Sequence, residues 1–158
     1  MGTAGARFMV AKQLAASGGL YLEEEGTRLA MDPGPGAVVQ YAKRKVDLTH
    51  LDGILLSHKH IDHSGDINVM IEAMTDGGFR PRGTLYCPAD ALDDDPVVLR
   101  YLRHFPNEVV RLEPETRYQL GALSFDIRGA PPLPLREGYP LRPASATQLP
   151  LGADPTTG

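Results

Sequence analysis

Three histidines and one aspartate lie close together in the segment SHKHIDHSGD, at positions 57–66. They form the pattern HxHxDH, with His58, His60, Asp62 and His63 as its members. Alternate residues of an extended loop project the same way, so His58 and His60 can hold one metal ion. Asp62 and His63, one turn further on, would face a neighbouring position. Imidazole and carboxylate ligands together suit zinc, manganese or iron and not calcium, so the cluster predicts a transition-metal site.

A strand on one side and a helix on the other must position this cluster. The preceding apolar run, DGILLS at 52–57, predicts a short strand buried at the centre of a sheet. After the cluster, apolar residues recur at helical spacing and predict a helix that Gly77-Gly78 ends: Ile67, Met70, Ile71 and Met74. Single histidines are commonly solvated or packed in a core, whereas three with an acid in one strand-to-helix loop favour metal binding.

The remaining elements read as an alternation of strands and helices. Residues 19–32 alternate apolar and polar side chains around a Glu-Gly pair, which predicts a β-hairpin. A glycine-proline loop then leads into a short helix predicted over 37–45. Further along, the sequence predicts a strand over 83–89, a capped helix over 93–105, and two or three antiparallel strands over 108–129.

The composition is that of an ordinary globular domain. The chain has 158 residues, of which 42% are hydrophobic and 23% charged, and this fits one domain. It holds no apolar run near the roughly 18 residues of a membrane span, and its start lacks the pattern of a secretory signal. With a single cysteine it can form no internal disulfide. We therefore expect a cytoplasmic protein that does not associate with membranes.

Asp32 ends the predicted hairpin, in the glycine-proline loop MDPGPG. Its carboxylate could brace the histidine loop or accept a hydrogen bond from the ring N–H of a metal-binding histidine. An aspartate that caps only its own loop is an equally open interpretation. Cys87, in contrast, is predicted to pack inside its strand rather than to act as a nucleophile.

The motif SHKHIDHSGD resembles the metallo-β-lactamase superfamily. GTAGAR near the start, the hairpin ending in MDPGPG and the strand TLYCPAD also resemble its ribonuclease Z-like and phosphodiesterase branches, over roughly residues 2–130. The resemblance implies an α/β fold, an αβ/βα sandwich with two facing sheets, helices outside and metals at the sheet ends. It also implies that His58 and His60 bind a first metal and that Asp62 and His63 bind a second.

The function implied by this resemblance is metal-dependent hydrolysis, with phosphodiesters ahead of thioesters, lactams or other small molecules. Two metal ions, zinc with manganese or iron as alternatives, would generate a metal-bound hydroxide near neutral pH. Asp62 would also orient that hydroxide as a catalytic residue. The net charge of −4 gives no basic field, so RNA is compatible with the sequence but is not indicated by it.

The family completes its metal sites with histidines and an aspartate from the second half of the fold. No histidine follows His104 in this sequence, and neither Asp126 nor Asp154 matches a ligand position. Each metal would therefore receive two protein ligands, whereas a catalytic zinc normally has three. His50 and His104 are predicted to lie away from the cluster. A second function thus stays open: a catalytically incomplete fragment, or a non-catalytic subunit completed by a partner.

The sequence changes character beyond Gly129, since seven of the chain's 14 prolines lie in its last 28 residues. We expect a metallo-β-lactamase-like domain over 1–130, corresponding to the N-terminal half of the sandwich, and an irregular proline-rich tail over 131–158. A reading frame that ends early or shifts near Gly129 would explain the change. Half a sandwich would expose the inner face of its sheet and favour a homo-oligomer.

Overall fold

The structure is a computed structural model that describes residues 9, 10, 12, 14, 19–93 and 95–128. The GTAGAR segment and the tail predicted over 131–158, with Asp154, lie outside the described residues. Within those described residues, no helix is both long and apolar enough to cross a membrane.

A five-stranded sheet forms the centre of the described part, with its strands in sequence order. Its members are β1 (Leu20–Glu24), β2 (Thr27–Met31), β3 (Gly53–Leu55), β4 (Thr84–Pro88) and β5 (Glu108–Leu112). β1 and β2 form the predicted hairpin, and both turn residues, Glu25 and Gly26, have positive φ (46° and 81°), as a type I′ turn requires. β2, β3, β4 and β5 run parallel to one another, so long crossovers connect them.

Helices occupy the first two crossovers. α1 (Ala37–Lys43) connects β2 to β3, followed by a 3₁₀ helix (Leu48–His50), and α2 (Ile61–Ser64) and α3 (Ile67–Thr75) connect β3 to β4. Two further 3₁₀ helices, Ala89–Ala91 and Arg100–His104, lie between β4 and β5. The predictions of α1, α3 and the central buried strand β3 are confirmed, and α3 ends at a left-handed Asp76 just before the two glycines.

The prediction of a helix over 93–105 is wrong. The described residues there form only the 3₁₀ helix Arg100–His104, because side chains of Asn68 and of Arg103 bind backbone groups that a helix would use. The Asn68 amide donates to the carbonyl of Val97 (2.9 Å) and accepts from the N–H of Leu99 (2.9 Å). Arg103 donates to the carbonyls of Leu92 and Val98.

The strands after residue 107 agree with expectation in part. The predicted antiparallel pairing is confirmed for two of them, β6 (Thr116–Leu120) and β7 (Leu123–Ile127), which form a separate two-stranded sheet. β5 is not a third member, because it pairs parallel with β4. The alternation of polar and apolar residues identified the strands, but it carries no information on which neighbour each one selects.

The two faces of the large sheet bury two separate hydrophobic clusters, because successive strand residues point to opposite sides. One face packs on the helices. The cluster between them contains the strand residues Ile54 and Leu85 and the helix residues Tyr41, Met70 and Ile71, each at most 1% exposed. The other face packs on the two-stranded sheet. The described part is therefore a mixed α/β structure, as the sequence predicts.

The inner face of the large sheet is not exposed in the way the sequence led us to expect. Leu29, Leu55, Tyr86 and Leu112 are all less than 9% exposed, because β6 and β7 cover them. Tyr86 packs edge-on against Phe125, with ring centroids 5.2 Å apart. A homo-oligomer that covers an exposed sheet face therefore stays a prediction, and the described residues themselves shield much of that face.

Candidate functional site

The histidine loop and the glycine-proline loop meet at the carboxyl ends of two adjacent parallel strands. Asp32 directly follows β2, and Ser57 lies two residues beyond β3. The backbone N–H of Asp32 donates to the carbonyl of Leu55 (2.8 Å), which continues the pairing of the strands to their ends. Ligand sites of α/β sheets occur at this edge.

The carboxylate of Asp32 accepts three hydrogen bonds from the histidine loop. Its Oδ1 accepts from the backbone N–H of Ser57 (2.7 Å), and its Oδ2 accepts from the Ser57 hydroxyl (2.7 Å). The same Oδ2 lies 3.1 Å from Nδ1 of His63. Asp32 is 9% exposed and has a left-handed φ of 49°. Its carboxylate thus binds the histidine loop, which disfavours the interpretation of an aspartate that caps only its own loop. Support of metal ligands by Asp32 stays a prediction.

The last three residues of SHKHIDHSGD hold the loop in place. The Ser64 hydroxyl donates to the carbonyl of Lys59 (3.0 Å). A Cβ added to Gly65 would lie 2.5 Å from Cγ of Pro35, so the two loops touch at a point where only glycine fits. Asp66 donates its N–H to the carbonyl of Pro33 (2.8 Å), and its carboxylate accepts from the N–H of Val38 (3.0 Å) in the first turn of α1.

The structure brings all four residues of the HxHxDH pattern together. The ring centroid of His58 lies 4.9 Å from that of His60 and 4.0 Å from that of His63. Asp62 is 9% exposed, and its Oδ2 lies 3.8 Å from Nε2 of His63. The His63 ring therefore lies between two carboxylates, with Asp32 at Nδ1 and Asp62 at Nε2.

The donor chemistry of this cluster fits a divalent metal. Oδ1 of Asp62 is buried and has no hydrogen-bond partner among the described residues. A buried carboxylate oxygen without a partner is unfavourable, and a cation would supply the missing interaction. The number of donors fits less well, because no group of three His, Cys, Asp or Glu side chains within the described ranges is arranged to hold a metal ion. The described residues thus carry donors of the right chemistry for a divalent metal without forming a complete ligand set.

Burial and neighbouring rings lower the pKa of His58 below its ordinary value. Desolvation is the largest cause, followed by repulsion from His63 and His60, while Asp32 and Asp62 oppose the shift. A lowered pKa favours the neutral imidazole, which is the form that binds a metal.

Other residues weighed from the sequence lie outside the cluster. Cys87 is fully buried in β4, and burial raises the pKa of its thiol to about 12, which fits packing and not nucleophilic chemistry. His50 precedes β3, at the opposite end of the strand from the cluster, and its Nδ1 lies 3.0 Å from the Asp47 carboxylate. His104 is exposed in its 3₁₀ helix.

The sequence analysis did not identify Ser57 as part of the site. Its position between β3 and the first histidine was the only feature of the sequence that pointed to it.

A family model described as a β-lactamase superfamily domain matches residues 27–149. This chain belongs to the metallo-β-lactamase superfamily. The match to this superfamily begins within the hairpin, includes the whole histidine cluster, and continues past residue 130, the domain boundary expected from the sequence. Membership implies divalent metal binding in general terms and does not specify the ion.

Two curated relatives match the chain over about half of its length. The uncharacterized protein MJ1374 of Methanocaldococcus jannaschii is 34% identical over 83 residues, which are 52% of this chain and 31% of that protein. A ribonuclease Z of Thermoplasma acidophilum is 29% identical over 97 residues, which are 57% of this chain and 30% of that protein. The chain therefore covers less than a third of the length of each of these two relatives.

The fold is shared with the metallo-β-lactamase fold protein YhfI from Bacillus subtilis. The two are 21% identical, with a TM-score of 0.51, and the similarity covers 69% of this chain and 43% of YhfI. The expected metallo-β-lactamase-like fold is confirmed over that part of the chain.

Proposed function

We propose that this chain carries the histidine loop of a metal-dependent hydrolase whose substrates are phosphodiesters. The observation that carries the proposal is the position of His63 between Asp32 and Asp62, with a buried oxygen of Asp62 lacking any partner among the described residues. Superfamily membership supports hydrolysis, and the ribonuclease Z relative supports a phosphodiester substrate.

Each residue of the cluster has a role in this proposal. His58, His60, Asp62 and His63 would hold divalent cations, with zinc expected ahead of manganese or iron. Two such cations, when bound, would supply Lewis acidity for the activation of a water molecule and for stabilising negative charge on a phosphoryl group. Asp62 accepts a proton or hydrogen bond from the attacking water, and Asp32 holds His63 and the loop in position.

A second function is favoured by a different observation. No group of three donors in the described part of the chain is arranged to hold a metal ion, whereas a catalytic zinc normally has three protein ligands. We therefore also consider a catalytically incomplete fragment, or a subunit whose remaining ligands come from a partner chain.

Metal content and turnover distinguish the two functions. The purified chain is analysed for bound metal by mass spectrometry and for hydrolysis of bis-p-nitrophenyl phosphate. His60→Asn is the test variant and His104→Asn the matched control, because both histidines are exposed and only His60 belongs to the cluster. About two equivalents of metal, with turnover lost only in His60→Asn, would support the hydrolase. Less than about one equivalent without turnover would support the second function.

A further inference from the structure

We propose that Ser57 is a positioning residue that fixes the ring tautomer of His58 and leaves Nε2 of that ring as its metal-binding atom. The inference rests on the proposed metal site. It follows from the distances around one hydroxyl group, which lies between a carboxylate and an imidazole.

The Ser57 hydroxyl contacts both neighbours within hydrogen-bond distance. Its Oγ lies 2.7 Å from Oδ2 of Asp32 and 2.9 Å from Nδ1 of His58. A hydroxyl has one proton to donate, and a carboxylate can only accept. The proton of Ser57 must therefore point to Asp32, since the two oxygens would otherwise repel each other at 2.7 Å. Oγ then accepts from His58, which places the ring proton of His58 on Nδ1.

The same oxygen of Asp32 also sets the tautomer of His63, in this case by direct contact with the ring. Oδ2 of Asp32 lies 3.1 Å from Nδ1 of His63, so this ring likewise carries a proton on Nδ1. Both rings are left with a lone pair on Nε2, the arrangement that a ligand histidine needs when its other nitrogen is hydrogen-bonded. Asp32 thus controls His63 directly and His58 through Ser57.

The role of the hydroxyl is separable from the role of the backbone. The backbone N–H of Ser57 already donates to Oδ1 of Asp32 at 2.7 Å, so the loop stays anchored when the hydroxyl is removed. Ser57 is exposed, so its truncation to alanine leaves no buried cavity. Ser57→Ala is therefore expected to fold normally and to lose only the two hydrogen bonds of the hydroxyl, the one it donates to Asp32 and the one it accepts from His58.

The test is a two-bond ¹H–¹⁵N correlation spectrum of the histidine rings in the metal-free chain, with His58→Asn used for assignment. It is recorded at about pH 8, above the ordinary pKa of imidazole. In the wild type we expect the pattern of Nδ1-protonated rings for His58 and His63. In Ser57→Ala we expect His58 to change to the Nε2-protonated form, while His63 keeps its pattern as an internal control. Ser57→Thr, which keeps the hydroxyl, should restore the wild-type pattern.

Zinc affinity provides the second measurement, by competition with a chromophoric chelator. Loss of a group that orients a metal ligand typically weakens affinity about 10- to 100-fold, and we expect a decrease in this range for Ser57→Ala but not for Ser57→Thr. An unchanged His58 tautomer in Ser57→Ala would overturn the inference, and so would a simultaneous change in both rings, since that indicates a collapsed loop. If the wild type binds no zinc, the proposed function fails, while the spectrum of the metal-free chain still tests Ser57.

Discussion

The backbone of Gly65 packs directly against the ring of Pro35. A Cβ placed on Gly65 would lie 2.5 Å from Cγ, 2.7 Å from Cδ and 2.9 Å from the nitrogen of that proline. The glycine of SHKHIDHSGD therefore does not provide an unusual φ angle. It provides a close approach between two loops, and that approach keeps Asp32 within reach of the histidines.

Replacement of Gly65 by alanine should force the two loops apart. We expect Gly65→Ala to lower the free energy of unfolding by about 1–3 kcal/mol, as for other insertions into packed regions, and to weaken metal binding. Gly26→Ala is the contrasting variant, because its added Cβ meets nothing within 4 Å but its φ of 81° is strained for alanine. It should destabilise the chain without changing metal affinity. Urea unfolding and zinc titration measure both effects, and equal loss of affinity in the two variants would contradict the prediction.

Asp32→Asn replaces one acceptor oxygen by an NH₂ group in a position that faces three donors. We expect a loss of stability of about 1–3 kcal/mol, because at least one donor is left unpaired. Zinc affinity should fall about 10- to 100-fold. Asp47→Asn is a suitable control, since Asp47 is exposed and its hydrogen bonds are to Thr49 and His50. Similar zinc affinity in both variants would show that the Asp32 contacts do not matter for the metal.

Asp62→Asn should lower the stability that zinc adds without lowering the stability of the metal-free chain. Its buried Oδ1 has no partner within the described residues, so removal of the negative charge should leave the metal-free chain equally or more stable. The same change should reduce the rise in thermal midpoint on addition of zinc, because the stabilisation by a ligand grows with the logarithm of its affinity for the folded state. Thermal unfolding with zinc and with a chelator gives both values. A strongly destabilised metal-free variant would show that the Asp62 carboxylate makes stabilising interactions in the metal-free chain, which contradicts the prediction.

The Cys87 thiol should be unreactive in the folded chain. Its pKa of about 12 means that almost no thiolate is present at about pH 8, and the side chain is fully buried. Labelling with a disulfide reagent such as Ellman's should therefore be slow in buffer and fast in guanidinium chloride. Rapid, complete labelling of the native protein would show that β4 opens readily or that the thiol is not desolvated.

Local sequence patterns were sufficient to predict much of the fold. The hairpin, β3, β4 and α3 each follow from the spacing of apolar residues and from nearby glycines, so no distant contact was needed to identify them. The helix expected over 93–105 was wrong because the Asn68 side chain, far away in the sequence, binds the backbone of Val97 and Leu99. The parallel pairing of β5 was missed for a related reason, since a strand does not encode its neighbour.

The candidate site was predictable in its residues and less so in its contacts. The spacing of the histidines identified the cluster, and the chemistry of Asp32 suggested that it could contact the loop. Asp32 and His63 are 31 positions apart in the sequence. Their contact depends on the register in which β2 and β3 pair. Ser57 gave no periodic signal, because a serine after a strand commonly serves as a turn residue.

The parallel pairing of β2 and β3 has a consequence for the order of folding. Asp32 and Ser57 are separated by 25 positions, and parallel strands can pair only after the crossover between them has returned to the same end of the sheet. The two loops therefore meet only once that segment has closed and its loop-closure entropy has been lost. A metal ion that needs the Asp32 contacts in place would consequently bind only the closed segment and would stabilise it by its binding free energy.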